Sequence, residues 1–339
     1  MTSPSLTSTL SALLAAGKGI LAADESTPSI KKRFASIGLE STPDSRRDYR
    51  EMLFTTPGLG EAISGVILFD ETLRQKTRAG VPLAELLVRQ GIVPGIKVDA
   101  GTSDLAGFPG EKLTLGLDGL RERLAEYRTL GARFTKWRAV LSLGAGRPTR
   151  ACIDANARAL ALFAALSQEA GLVPIVEPEV LMDGSHSLAE DEAAIGETLD
   201  GVFAALRAHR VALEGMLLKS GMVLPGEDSP QAAAAEEVAS ATRRVFLRTV
   251  PAAVPGIVFL SGGQKPEPAT ERLNAIVREG PAPWRLTFSY GRALQDPALK
   301  LWLGSPANIP AAQAALGHRA RCNGLAVQGK YTAAAETSR

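Results

Sequence analysis

The chain is poor in the residues that build disulfide frameworks and histidine metal centres. It has two cysteines, Cys152 and Cys322, far apart and outside any CxxC pair, and three histidines with no HxxxH or HxH spacing. That pattern argues against a disulfide-stapled secreted scaffold and a histidine-built metal site, and it fits a reducing cytoplasm. No apolar run approaches membrane-spanning length, and Met1–Gly19 has no basic region ahead of an apolar stretch, so it does not read as a secretory signal. Charge of one sign is also missing: the formal net charge is +2, so neither a nucleic acid nor a membrane surface is the expected partner. Aromatics are 5% of the chain while Ala is abundant, which suits helix-rich packing more than a β sandwich.

Eight short apolar runs recur at fairly even intervals. They are Ile20–Asp24, Val66–Asp70, Ile96–Asp99, Phe134–Arg138, Pro174–Glu179, Met216–Lys219, Ile257–Gly262 and Leu286–Gly291. Their hydrophobicity is continuous rather than alternating, as in parallel strands covered on both faces. Helical patterns lie between them, at Glu71–Gln90, Gly119–Leu130, Ile153–Ala170, Leu188–His209, Pro230–Thr249 and Glu267–Arg278. This alternation predicts an α/β fold, a (β/α)8 TIM barrel forming a single domain over residues 1–339. A doubly wound open sheet is the alternative, but the first strand runs into Ala22-Ala23-Asp24-Glu25-Ser26 with no Gly-rich turn. Three parts stand outside the repeat: a lead-in of about fifteen residues, a Lys/Arg-rich helical insertion over Pro28–Thr56, and a polar, partly irregular tail from about residue 305.

In a barrel all strands open at their C-terminal ends on one mouth, where the chemistry sits. Those ends are heavily charged here. The first brings Asp24, the third Lys97, the fourth Lys136 and Arg138, the fifth Glu177 and Glu179, and the sixth Lys219. Residues two apart share a strand face, and charges on the helix-covered face would be costly, so these groups are expected to point into the mouth. Each has an ordinary reading alone: Asp24 as a helix cap, the Glu and Lys/Arg pairs as structural ion pairs, the glycines as turns. Their joint occurrence on consecutive buried strands is what those readings leave unexplained. An amine at the end of an apolar strand is a candidate nucleophile toward a carbonyl, and Lys136 nearby would help keep one of the two amines neutral. Iminium formation needs a general acid, for which Glu177 is placed, and breaking the adjacent C–C bond needs a base, for which Asp24 is the candidate. Ser261-Gly262-Gly263 and Ser289-Tyr290-Gly291-Arg292 close the last two strands, where this fold cradles phosphates.

Nine stretches carry a family resemblance in order: ILAADESTPSI (20–30), GVILFDETLRQ (65–75), GIKVDAG (95–101), FTKWR (134–138), IVEPEVL (175–181), LLKSGMV (217–223), FLSGGQ (259–264), LTFSYGRALQ (286–295) and QGKYT (328–332). The chain resembles class I, Schiff-base, fructose-bisphosphate aldolase. The resemblance implies reversible cleavage of fructose 1,6-bisphosphate to dihydroxyacetone phosphate and glyceraldehyde 3-phosphate, in a homotetramer without metal or other cofactor. It implies Lys219 as the Schiff-base lysine, Glu177 as the acid/base of carbinolamine dehydration and Asp24 as the carboxylate of the C–C step, with Lys136 and Glu179 in support. Ser261, Gly262, Gly291 and Arg292, with Ser289 on the same strand end, would hold the ketone-side phosphate. Lys97, Arg138, Ser26, Ser29 and Arg33 would form the more open site for the other.

The chain departs from the family pattern in places. Ser220-Gly221 follows the nucleophile instead of Pro-Asn, Pro28 replaces a Gly, Asp70 stands for a His and Ala100 for a Lys. It finishes Glu336-Thr337-Ser338-Arg339 without the terminal Tyr of the animal enzymes, and Tyr331 falls too early to take that role. Leu260–Gln264 spells the LSGGQ signature of transporter ATPases, but the chain has no GxxxxGK[ST] loop to go with it. The rival readings are another Schiff-base barrel such as a transaldolase or keto-deoxy-sugar aldolase, a metal-dependent aldolase, and an inactive barrel kept for binding. The second cluster of phosphate-binding candidates counts against the first rival. The intact Lys219, Glu177 and Asp24 count against the last.

Overall fold

The computed structural model describes residues 4–337. Eight parallel strands close a barrel: β1 (Gly19–Ala23), β2 (Ile63–Leu68), β3 (Val93–Lys97), β4 (Phe134–Leu141), β5 (Val173–Val180), β6 (Leu217–Ser220), β7 (Gly256–Phe259) and β8 (Arg285–Tyr290). Each pairs with the next in sequence, and β8 pairs with β1 through Ile20 opposite Ser289. Helices cover the outer face, and the large apolar core lies between them and the strands. The continuous apolar runs follow from that arrangement: side chains of both parities meet apolar neighbours, either the helices outside or the filled barrel within.

The lower half of the interior is dry. Helix Pro4–Leu13 sets Leu6, Leu10 and Leu13 against Ile20, Ile67, Phe134, Val173, Ile175, Leu217 and Val258. The lead-in is therefore a plug for the barrel floor. Glycines make room for large rings: a Cβ on Gly95 would sit 2.3 Å from the Phe134 ring of the floor, and one on Gly19 would sit 2.6 Å from the Phe288 ring of the outer core. Above this floor the inward positions of the same strands turn charged.

The insertion after β1 is helical as expected, in two helices, Thr27–Ala35 and Pro43–Phe54. They dock through Phe34 and Tyr49 onto Trp302, with ring centroids 6.0 and 5.2 Å from it. Pro28 sits in the first turn of Thr27–Ala35, where its missing N–H has no intrahelical partner to lose, so it starts a helix rather than stiffening a loop.

Two sequence expectations change, and one element was not anticipated. Glu71–Gln90 is not one helix but two, Asp70–Arg74 and Leu83–Arg89. Gly80 takes a positive φ of 83° and Pro82 cannot donate a helical hydrogen bond, so the chain turns between them. A small antiparallel hairpin, Thr102–Asp104 with Lys112–Thr114, follows β3; its polar strands carry no apolar run that would announce them. The tail from residue 305 is mostly an 18-residue helix, Ile309–Ala326, which buries Leu316, Ala320 and Cys322. Its alanines pack rather than leaving an irregular segment. The last two residues, 338 and 339, lie outside the described residues.

Candidate active site

Strand parity sets the upper layer of the barrel. Phe134 fills the floor, so Lys136 and Arg138 two and four residues on point inward above it. Ile175 likewise leads to Glu177 and Glu179, and Leu217 leads to Lys219. Every candidate residue named from the sequence lines one cavity of about 570 Å³ at this mouth: Asp24, Ser26, Ser29, Arg33, Lys97, Lys136, Arg138, Glu177, Glu179, Lys219, Ser261, Gly262, Ser289, Gly291 and Arg292.

At its base four charged groups form a chain. Lys136 Nζ lies 2.6 Å from Asp24 Oδ2 and 3.3 Å from Glu177 Oε2, and Lys219 Nζ lies 3.0 Å from Glu177 Oε1. Lys136, Glu177 and Lys219 are all buried. Glu177 Oε2, though close to Lys136, makes no aligned hydrogen bond, and Ser289 Oγ has none either among the described residues. Buried polar atoms left this way are positioned for a ligand.

The electrostatics are asymmetric. Burial opposes the charged form of Asp24, yet Lys136, then Lys219 and Lys97, outweigh it and hold the carboxyl at about 2. Burial likewise opposes the Lys136 ammonium, yet Asp24, Glu177 and Asp99 raise its pKa well above the ordinary lysine value. The expectation that the two lysines push each other toward neutrality therefore fails for Lys136. Its nearest neighbours are carboxylates, and attraction at these distances exceeds the repulsion from a second amine.

Higher in the mouth most cations are already paired. Arg138 donates through Nε to Glu179, and Lys97 pairs with the carboxylate of Asp99. Arg33 bonds to Glu25, to Asp296 at 2.9 Å and to Gln295 at 3.3 Å. Arg292 is different: it is exposed at the first turn of helix Arg292–Trp302 and has no ion pair or side-chain hydrogen bond among the described residues. It faces the loop after β7, where a Cβ on Gly263 would lie 3.5 Å from its guanidinium. Gly262 and Gly263 adopt φ of 56° and 106°, and Gly262 lines the cavity. Ser26 holds the N-cap position of Thr27–Ala35 without a side-chain capping bond, and its hydroxyl is 3.1 Å from that of Ser29.

Three contributors were not picked out from sequence. Asp99 accepts from Lys97, from the Gly101 amide and from the Arg138 amide, the last two at 3.3 Å, and so ties β3 to β4 at the rim. Its spacing of two from Lys97 was the available signal. Glu25 joins Arg33, Arg50 and Gln295, and Arg50 and Arg33 outweigh its burial to keep its pKa low. Partners this distant in sequence leave no local trace. Lys32 also lines the cavity. Asp70 and Tyr331 do not. Asp70 pairs with Arg74 outside, and the Tyr331 hydroxyl donates to Glu336 at 2.7 Å.

Fold and site together define a (β/α)8 barrel with a buried lysine–carboxylate chain at its mouth. A family model described as fructose-bisphosphate aldolase class-I matches residues 5–339, and the chain belongs to that family. It is 55% identical over 327 residues to a probable class 1 fructose-bisphosphate aldolase of Xanthomonas axonopodis, spanning 96% of this chain and 98% of that one. It is 55% identical over 320 residues to the cytosolic fructose-bisphosphate aldolase 5 of Arabidopsis thaliana, covering 94% and 89%. Among solved structures, fructose-bisphosphate aldolase from Plasmodium falciparum, in complex with TRAP and a small-molecule inhibitor, superposes with a TM-score of 0.95 at 50% identity, covering 97% and 95%.

The depressed pKa of Asp24 gives a stability prediction. Folding favours its ionised form, so this contribution is fully present above the unfolded value of 3.8 and is lost as pH falls through about 2. Urea unfolding should show wild type losing roughly 1 kcal/mol more than Asp24→Asn between pH 4.5 and pH 3. Equal losses would mean that Asp24 is not held ionised by its lysines.

Proposed function

We infer that the chain catalyses the reversible aldol cleavage of fructose 1,6-bisphosphate to dihydroxyacetone phosphate and glyceraldehyde 3-phosphate through a lysine Schiff base, as a class I aldolase. The observation that carries the assignment of roles is the contact of Lys219 Nζ with Glu177 at 3.0 Å, in a chain that continues through Lys136 to Asp24.

In this reading Lys219 passes a proton to Glu177 and its free amine attacks the C2 ketone. The carbinolamine loses its hydroxyl as water with the proton that Glu177 returns, leaving an iminium ion. Asp24, ionised beside Lys136, takes the proton of the C4 hydroxyl. The C3–C4 bond breaks, its electrons flow into the iminium, and glyceraldehyde 3-phosphate leaves. A proton returns to C3 of the enamine, and water releases dihydroxyacetone phosphate from Lys219. Lys136 remains charged throughout and keeps both carboxylates close in a dry site. Glu179 holds Arg138 at the rim.

The ketone-side phosphate is assigned to Ser261, Gly262, Ser289, Gly291 and Arg292, because Arg292 is free and Gly262 of the adjoining loop lines the cavity. The other phosphate is assigned to Ser26, Ser29, Lys97 and Arg138. Arg33 is assigned a positioning role. It holds Asp296, which lies one helical turn beyond Arg292 and would otherwise be that residue's natural i,i+4 partner.

No helix among the described residues is long and apolar enough to cross a membrane. The cytosolic relative supports a cytoplasmic location, and family resemblance supports a homotetramer that needs neither metal nor cofactor for turnover.

In an assay coupled to glyceraldehyde 3-phosphate release, Lys219→Met should fall to background, and Glu177→Gln should lose about 10²–10⁴-fold in kcat. Retention of turnover by Lys219→Met would remove the Schiff base from the account. Arg33→Ala should raise KM for the bisphosphate with kcat little changed, and adding Asp296→Asn should restore KM. A KM that stays high in the double variant would make Arg33 a direct phosphate ligand.

A further inference from the structure

Far from the barrel mouth, the C-terminal segment folds three metal-ligand types together. Helix Ile309–Ala326 carries His318 and Cys322 one turn apart, and the short 3-10 turn Ala333–Glu336 brings Glu336 over them. His318 Nε2, Cys322 Sγ and a Glu336 carboxylate oxygen lie within 4.8 Å of one another. The imidazole nitrogen is 3.2 Å from Glu336 Oε2 and 3.6 Å from the sulfur. For a zinc ion with bonds of about 2.0 Å to N and O and about 2.3 Å to S, the tetrahedral angle puts N and O about 3.3 Å apart and N and S about 3.5 Å apart. The two separations from the imidazole match those of a bound tetrahedral set, and the sulfur and carboxylate oxygen, within 4.8 Å of each other, have at most to draw together.

From this geometry we propose that His318, Cys322 and Glu336 form a binding site for a single divalent cation of the zinc class, which fastens the C-terminal segment to helix Ile309–Ala326. The cation takes the place of two protons. The thiol proton goes to solvent, and the proton that His318 Nε2 now donates to Glu336 shifts by way of solvent to Nδ1 of the same neutral ring, so that one proton leaves, one is relocated and the Nε2 lone pair is freed.

Glu336 is oriented by outer partners. Its Oε1 accepts from the Tyr331 hydroxyl at 2.7 Å, and Oε2 also accepts from Arg319. A carboxylate oxygen has two lone-pair directions, so the metal uses the one now taken by the imidazole and leaves Arg319 in place. The thiolate and carboxylate bring two negative charges against two cations, Arg319 and Arg321, and Glu61 adds a third carboxyl side chain to the same cavity. His318 and Cys322 also line a surface cavity of about 410 Å³, which gives a water the fourth position and the ion a route in. Mixed S, N and O donors of this kind suit Zn²⁺ or Co²⁺ and not Mg²⁺ or Ca²⁺. Composition hid the site because its histidine is joined to a cysteine and a carboxylate rather than to a second histidine.

The test is titration of the full chain, stripped of metal, with Co²⁺ alone. Binding of one Co²⁺ per chain with a thiolate-to-cobalt charge-transfer band, displaced by Zn²⁺, is the expected result. Cys322→Ser should abolish the band, His318→Ala should weaken Zn²⁺ binding at least tenfold, and Cys152→Ser should change neither. Circular dichroism identifies any variant that fails to fold, and the half-exposed His318 then carries the test in place of buried Cys322. Absence of the band in wild type, or a band lost with Cys152→Ser instead of Cys322→Ser, would overturn the proposal. So would unchanged Zn²⁺ affinity in folded His318→Ala. Because turnover is not the readout, failure here leaves the aldolase reading untouched.

Discussion

The site depends on one buried ammonium. Lys136 sits between Asp24 and Glu177, 2.6 and 3.3 Å away, directly above an apolar floor. In that setting none of the three charges is tolerable without the others. Removing the lysine would leave two buried carboxylates facing each other, and removing either carboxylate would leave an undercompensated cation. The arrangement keeps Asp24 ionised and leaves Glu177 in contact with a second amine, Lys219. In the proposed reaction these groups supply the base, the acid and the nucleophile within one small volume.

The fold is what makes such a cluster affordable. Floor residues Phe134, Ile175, Leu217 and the helix Pro4–Leu13 exclude water from below. Parallel strands of fixed parity then aim Lys136, Glu177 and Lys219 at one point. The rim is built by longer-range ties. Asp99 couples β3 to β4, while Glu25, Arg33 and Gln295 bind the insertion after β1 to the helix after β8. Those ties fix the helix start that carries Arg292 beside the Gly262-Gly263 loop. Charge compensation below and hydrogen-bonded anchoring above therefore frame the cavity in which the two phosphates are proposed to bind on either side of Lys219.

Much of this was legible in the sequence because strand periodicity is local. Eight apolar runs, six of them ending in charge, announced the barrel, and spacing of two placed Lys136 with Arg138 and Glu177 with Glu179. What stayed hidden depends on contacts between distant segments. Glu25 acquires meaning only when Arg50 and Gln295 arrive from elsewhere. The same holds for Glu336, whose three partners come from the preceding helix and turn. The direction of the Lys136 shift was misread because sequence shows which charges exist but not which are nearest. The break at Gly80-Val81-Pro82 was overlooked although its residues signal it, since a long amphipathic pattern flanks it.

Borohydride trapping tests the central claim most directly. The protein is incubated with dihydroxyacetone phosphate, reduced with sodium borohydride, digested and mapped by mass spectrometry. The account predicts a stable secondary-amine adduct on Lys219 and on no other lysine, Lys136 included. An adduct on Lys136, or active protein that yields no adduct and loses turnover to EDTA, would contradict it.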